Sequence, residues 1–271
     1  MKYSVLMSVY IKENPMWLSE SLDSMINQTI APSEIVLVKD GPLTNELNDV
    51  VERYVQKFPE LFNVIEFEEN KGLGEALRVG VTKCSNNIIA RMDTDDIASL
   101  DRCEKQLQKF KDNNELDIVG CQIIEFEDVK ENEISRRRMP IEHEEICKFS
   151  KKRNPFNHMT VMFKRDSVIN AGNYKALPLF EDYYLWARMI MNGSRCENLD
   201  EFLVYARTGK DMIKRRGGIA YIGKIYRGKR AISKTGLMNF WECYYSIAAH
   251  SVVSIAPTGV RRYIYGKFLR K

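Results

Sequence analysis

The first hundred residues alternate short apolar runs with stretches of helical periodicity, and few chain folds tolerate that pattern. The runs are Tyr3–Tyr10, Ile35–Val38, Val64–Phe67 and Ile88–Met92. Between the first two, Trp17, Leu18, Leu22, Met25 and Ile26 recur at helical spacing until Pro32 breaks the chain. Leu47, Val50, Val51, Tyr54, Val55 and Phe58 mark the next helix, and Gly74–Lys83 a third. Strands joined by helices of this length predict an α/β, Rossmann-like parallel sheet covered on both faces.

Later the pattern loosens. Asp101–Lys111 reads as a helix, Asp117–Phe126 as a long strand and Glu127–Arg138 as a polar excursion. His158–Phe163 is a further strand candidate, Gly172 ends a short helix, Glu181–Asn192 is helical, and Phe202–Tyr205 is a short strand. The expected division is a catalytic domain over residues 1–210, with a nucleotide-binding half at 1–100 and an acceptor half at 101–210. A basic helical extension follows at 211–271.

That extension stands out by charge. Residues 204–271 carry 15 Lys and Arg against 2 Asp and Glu, whereas residues 1–203 carry 26 against 35, so a net +4 conceals +13 beside −9. Such a tail, including Lys224, Arg227, Lys229 and Arg230, suits an anionic partner, either a membrane surface or a nucleic acid. Gly236–Val260 inside it has Glu242 as its lone charged residue, His250 aside, and reads as an interfacial amphipathic helix, as an ordinary core or dimer helix or, being nearly long enough for a bilayer, as a spanning helix diluted by Pro257, Asn239 and several serines. The six cysteines are scattered without a CxxC, and Met1-Lys2 leads straight into a strand-like run. The expectation is a reduced, cytoplasmic chain without a secretory leader.

Chemistry concentrates at strand ends. Ile88–Met92 runs directly into Asp93-Thr94-Asp95-Asp96. Alternate carboxylates at the carboxyl end of a strand can hold Mg²⁺ or Mn²⁺ through oxygen. Asp40-Gly41 ends the Ile35–Val38 run, with Asp40 suited to a ribose or base edge. In Asn70-Lys71-Gly72-Leu73-Gly74, the backbone N–H groups and Lys71 suit a diphosphate. Glu181-Asp182 opens a helix after Pro178, either as acids facing the helix dipole or as a general base. The third glycine of a dinucleotide fingerprint would fall at Leu77, and no P-loop pattern is present.

In their order, these motifs resemble the inverting family 2 glycosyltransferases of the glycosyltransferase-A fold, in particular bacterial O-antigen, capsule and exopolysaccharide enzymes. The likeness runs over about residues 3–210 through Ser4–Tyr10, Gln28-Thr29 with Pro32, Val38–Pro42, Asn70–Gly72, Asp93–Asp95 and Glu181-Asp182. It implies a metal-dependent transfer of a hexose from a UDP-sugar, galactose slightly ahead, to a hydroxyl of a lipid-diphosphate-linked glycan on the inner face of the membrane. By the same resemblance Ser8, Tyr10, Asp40, Lys71, Arg91 and Asp93 would line the donor pocket. Asp95 with Asp93 would hold Mn²⁺ or Mg²⁺, Asp182 would be the base, and Glu181, Trp186 and His158 would stand on the acceptor side. Two rivals remain: a haloacid dehalogenase-like phosphatase, whose paired aspartates Asp93-Thr94-Asp95 mimic, and a nucleic-acid binder acting through the tail.

Overall fold

A computed structural model describes residues 1–208, 218–256 and 259. Its first half follows the sequence pattern: β1 (Ser4–Val9), α1 (Pro15–Ile26), β2 (Glu34–Lys39), α2 (Asn45–Lys57), β3 (Phe62–Glu66), α3 (Leu73–Lys83) and β4 (Ile88–Arg91). These four strands lie in the order β3-β2-β1-β4, all parallel. Alternate side chains divide between two cores, which is why the strands are apolar almost throughout. Val5, Met7, Val9, Ile35 and Leu37 pack with Leu18, Leu22, Val50 and Leu107 on one face. Leu6, Val36, Val38 and Ile89 pack with Leu77, Val81, Leu185 and Trp186 on the other. Helix α1 starts where Asn14 accepts hydrogen bonds from the N–H groups of Met16 and Trp17 ahead of Pro15.

Helix α3 approaches the sheet closely. A Cβ at Gly80 would lie 2.3 Å from Cδ1 of Leu6. A glycine there lets the helix sit low on β1, which brings its N-terminus at Gly72-Leu73 over the strand ends.

The remaining elements are β5 (Ile97–Ala98), α4 (Arg102–Asp112), β6 (Leu116–Phe126), β7 (Glu133–Arg137), α5 (His143–Ser150), β8 (Met162–Lys164), α6 (Arg165–Asn170), α7 (Glu181–Met191) and β9 (Arg195–Arg207). Several depart from the sequence reading. The sheet is mixed, because β8 pairs antiparallel with both β4 and β6. The run expected as one strand at His158–Phe163 opens with a 3₁₀ turn at His158–Thr160 before β8. The polar excursion contains β7, paired antiparallel with β6. The short strand expected at Phe202–Tyr205 is the end of the long β9, which runs parallel to β6 with register shifts. The three strand departures depend on long-range pairing, which local periodicity does not encode.

Two helices follow, α8 (Ile219–Ser233) and α9 (Phe240–Ile255), the latter opened by a reciprocal Asn239–Glu242 capping box. The first packs on α7, where Ile232 and the turn at Leu237-Met238 meet Tyr183 and Ala187, and the second packs on the first. Among the described residues no helix is long and apolar enough to cross a membrane. Lys229 is 1% exposed, so it lies inside the protein and not among the surface cations. The tail cations at Lys210, Lys214, Arg215, Arg216, Arg261, Arg262, Lys267, Arg270 and Lys271 lie outside the described residues.

Candidate functional site

The carboxyl ends of β1, β2 and β4 open into a cavity of about 400 Å³. Ser8 and Tyr10 line it from the end of β1, Asp40 from β2, Asn70 and Gly72 from the turn into α3, and Asp93, Thr94 and Asp95 from the end of β4. The structure thus brings Ser8, Tyr10, Asp40, Asp93 and Asp95 together as the sequence reading expects.

Three donor-side expectations change. The Asp40 carboxylate accepts hydrogen bonds from the N–H of Lys71 at 2.7 Å, the N–H of Gly72 at 3.0 Å and the side-chain amide of Asn70 at 3.0 Å. Those backbone N–H groups are therefore committed to Asp40, not presented to a diphosphate. Asp40 acts first as the anchor that shapes the loop. The Lys71 side chain lies outside the cavity lining, with its ammonium 5.5 Å from the Phe67 ring centre. The tight fit also explains Gly41: its φ is +88°, and a Cβ there would lie 2.6 Å from the backbone nitrogen of Asn70.

Arg91 does not line the cavity either. It is 1% exposed and pairs with Asp93 from beneath, and its Nε and Nη1 have no hydrogen-bond partner. Its charge reaches to the far side of the site, where it opposes the effect of burial on Asp182.

The acidic run forms one cluster. Single carboxylate oxygens of Asp93, Asp95 and Asp96 lie within 4.8 Å of one another. Burial, and then the charge of Asp93, push Asp95 up to about 6, and burial together with Asp95 and Asp93 raises Asp96 well above the carboxylate range. Asp96 is 2% exposed; one oxygen accepts the N–H of Arg207 at 2.7 Å, and Oδ2 has no partner. Crowded carboxylates with an orphaned buried oxygen are the donor set of a hard divalent cation, so these residues fit Mg²⁺ or Mn²⁺.

Several members were not singled out from sequence. Glu13, in the loop after β1, faces the same cavity and is pushed up to about 7 by burial and by Asp95 and Asp93. Its place just past a strand end was the available signal. Arg207 closes the back of the acidic cluster, with Nε on the carbonyl of Asp95 at 3.1 Å and an ion pair to Glu20 at 2.5 Å. No local pattern marks it.

On the second side, α7 begins with Glu181 and Asp182. Burial raises Asp182 above the usual carboxylate range, opposed by hydrogen bonds from the N–H of Tyr183 and the amide of Asn154. Glu181 is pushed up to about 7, first by burial and then by Asp182. Its Cγ lies 3.0 Å from where a Gly74 Cβ would stand, which ties the start of α7 to the start of α3. The other two acceptor-side candidates are placed differently from each other. Trp186 is wholly buried, edge-on to Phe156, and presents no surface to a substrate. His158 packs against Trp186 and bonds the Tyr174 hydroxyl at 3.0 Å, and burial with the Arg91 charge holds it well below the usual histidine range, hence neutral. Trp186 supports the site from within, whereas His158 is half-buried and keeps part of its surface exposed.

With this geometry in view, the chain matches the family model for glycosyl transferase family 2 over residues 4–171. It is 37% identical to the amylovoran biosynthesis glycosyltransferase AmsE of Erwinia amylovora, covering 98% of each chain. It is 35% identical to the UDP-Gal:alpha-D-GlcNAc-diphosphoundecaprenol beta-1,3-galactosyltransferase of Escherichia coli, covering 100% of this chain and 97% of that one. Among solved structures it is similar to S. aureus TarS 1-349 in complex with UDP, with a TM-score of 0.65 at 19% identity over 93% of this chain and 71% of that one. The fold is that of the glycosyltransferase-A enzymes.

Proposed function

The chain belongs to glycosyl transferase family 2 and is a glycosyltransferase; we propose that it moves a hexose, galactose by preference, from a UDP-sugar to a hydroxyl of a lipid-diphosphate-linked glycan in surface polysaccharide synthesis. The observation that carries this reading is the cavity at the ends of β1, β2 and β4, walled on one side by Asp93-Thr94-Asp95 and on another by the Asp40-anchored loop. The galactosyltransferase relative supports the donor and the lipid-linked acceptor. In this reading residues 1–210 are the catalytic domain, and the enzyme works at the cytoplasmic face of the membrane, where such an acceptor is presented. The family match sets aside the phosphatase reading.

Asp95, Asp93 and Asp96 would hold Mn²⁺ or Mg²⁺, which supplies charge neutralisation for the departing diphosphate. The protein's own groups do the rest. Ser8, Tyr10 and Asp40 line the donor side, while Arg91 fixes Asp93 from below. Asp182 takes the proton of the acceptor hydroxyl as its oxygen bonds to the anomeric carbon. The bond from that carbon to the β-phosphate oxygen breaks on the opposite face, so configuration inverts and UDP leaves. A panel of UDP-galactose, UDP-glucose, UDP-N-acetylglucosamine and GDP-mannose, scored for nucleotide release with a short lipid-diphosphate sugar, tests the proposal. Release from none of them, with the protein folded, would overturn it.

A further inference from the structure

Helix α9 is apolar on the side turned away from the protein. Trp241 and Tyr245 are 77% and 79% exposed, and Val252 and Ile255 are each 70% exposed. Their spacings of four, seven and three residues put them on one stripe, while Cys243, Ser246 and Ser254 face inward. A contiguous aromatic and aliphatic stripe is not the face of an ordinary solvated helix.

A second cavity, of about 190 Å³, lies beside that stripe. The turn Lys151-Lys152-Arg153 forms one wall, and Tyr245, Ala249 and His250 of α9 form another. The turn is fixed to the helices, because the carbonyl of Lys152 accepts hydrogen bonds from Nζ of Lys229 at 2.8 Å and Oγ of Ser246 at 3.4 Å. Glu242, the acid at this cavity, is already engaged by the N–H of Asn239 at 2.8 Å. The surroundings therefore combine cations at a rim with an apolar wall and an adjoining apolar stripe.

We propose that this face docks on an anionic lipid bilayer, with Trp241 and Tyr245 at headgroup level and one headgroup phosphate held beside Lys151 and Lys152. Aromatic side chains with one polar end favour that depth, and cations near an anionic surface are drawn to it. Charge argues for lipid over a second copy of the chain as the occupant. Lys151 and Lys152, at the rim of the cavity beside the stripe, would be brought close to their own copies in a symmetric pairing of this face, whereas an anionic surface complements them. The docking rests on the reading that the acceptor is lipid-linked, and it gives that reading a place. One residue past the basic turn, Asn154 hydrogen-bonds Asp182, so the segment at the membrane contact also touches the proposed base.

Flotation of the full chain with phosphatidylcholine vesicles, with and without phosphatidylglycerol and without any sugar nucleotide, tests the proposal. The wild type is expected to float with the anionic vesicles at low salt and to be released by added salt. The pairs W241A/Y245A and K151E/K152E alter exposed side chains and are expected to weaken binding ~10-fold or more, by loss of interfacial anchoring and of two cationic contacts respectively. Nucleotide release with a water-soluble acceptor should be unchanged in both. Equal behaviour of wild type and both variants on anionic vesicles would overturn the proposal. So would a wild type that fails to float but is dimeric by light scattering and becomes monomeric in W241A/Y245A, since the face would then belong to a second copy. Normal flotation without any sugar transfer would leave the docking intact and sink the catalytic reading alone.

Discussion

Asn154 donates its side-chain amide to Oδ2 of Asp182 at 2.5 Å, while Oδ1 of the same carboxylate accepts the N–H of Tyr183 at 2.7 Å. The two bonds hold the carboxylate in one orientation at the start of α7 and favour its charged form, against the burial that raises its pKa. Asn154→Ala is expected to lower kcat ~10-fold with the donor KM unchanged, because a base left free to turn is out of line more often. Losing a bond to the charged form also raises the base's pKa. The acidic limb of the rate profile should then move to higher pH, a shift that a merely structural asparagine would not produce. Asp182→Asn should cost ~10²-fold or more in kcat while UDP-sugar binding persists. If Glu181→Gln were the inactive variant and Asp182→Asn retained activity, the base would be Glu181.

Asp95→Ala should abolish transfer and weaken Mn²⁺ binding in the presence of UDP, read by calorimetry independently of turnover. One carboxylate fewer leaves both the cation and the diphosphate poorly compensated. Excess chelator should silence the wild type, and full activity under chelation would remove the ion from the mechanism.

The loop on the donor side is braced by a glycine. Gly41→Ala would place a Cβ 2.6 Å from the Asn70 nitrogen at a φ of +88°, so the Asn70–Gly72 turn must move off Asp40. The expected cost is ~1–3 kcal/mol of stability, with a raised donor KM. Urea denaturation and donor titration together check it; unchanged values for both would show that the loop relaxes without consequence.

Lys229 links pH to stability. Burial pushes its amine down to about 8, while its Nζ bonds the Lys152 carbonyl and lies 4.8 Å from the Tyr183 ring centre. A lysine whose folded pKa is lowered binds fewer protons folded than unfolded between that value and its ordinary one near 10.4. Stability should therefore rise with pH across about 8 to 10, and the penalty is fully present below 8. Lys229→Met should flatten that rise in melting temperature; an equally steep rise in the variant would assign it to other groups.

Much of the framework was legible in the chain. The period of the apolar residues set β1 to β4 and their helices, since strands buried on both faces must be apolar almost throughout. The acids that follow β2 and β4 marked the site, because an open α/β sheet meets its ligands at the carboxyl ends of its strands. Even the start of α7 was readable from Pro178 and the paired acids after it.

What the tertiary structure decided was the partner of each group. Asp40 looked free to meet a ligand, yet it holds the N–H of Lys71, 31 residues away. Trp186 looked like a substrate contact, yet it is wholly buried and packs against His158. Arg207 reaches Asp96 across 111 residues, and Glu13 joins the acidic cavity from another strand end. The sequence by itself determined the elements and the acidic strand ends, because periodicity and strand termini are local. Burial, pairing and pKa depend on which distant segments the sheet brings together, and nothing local encodes that choice.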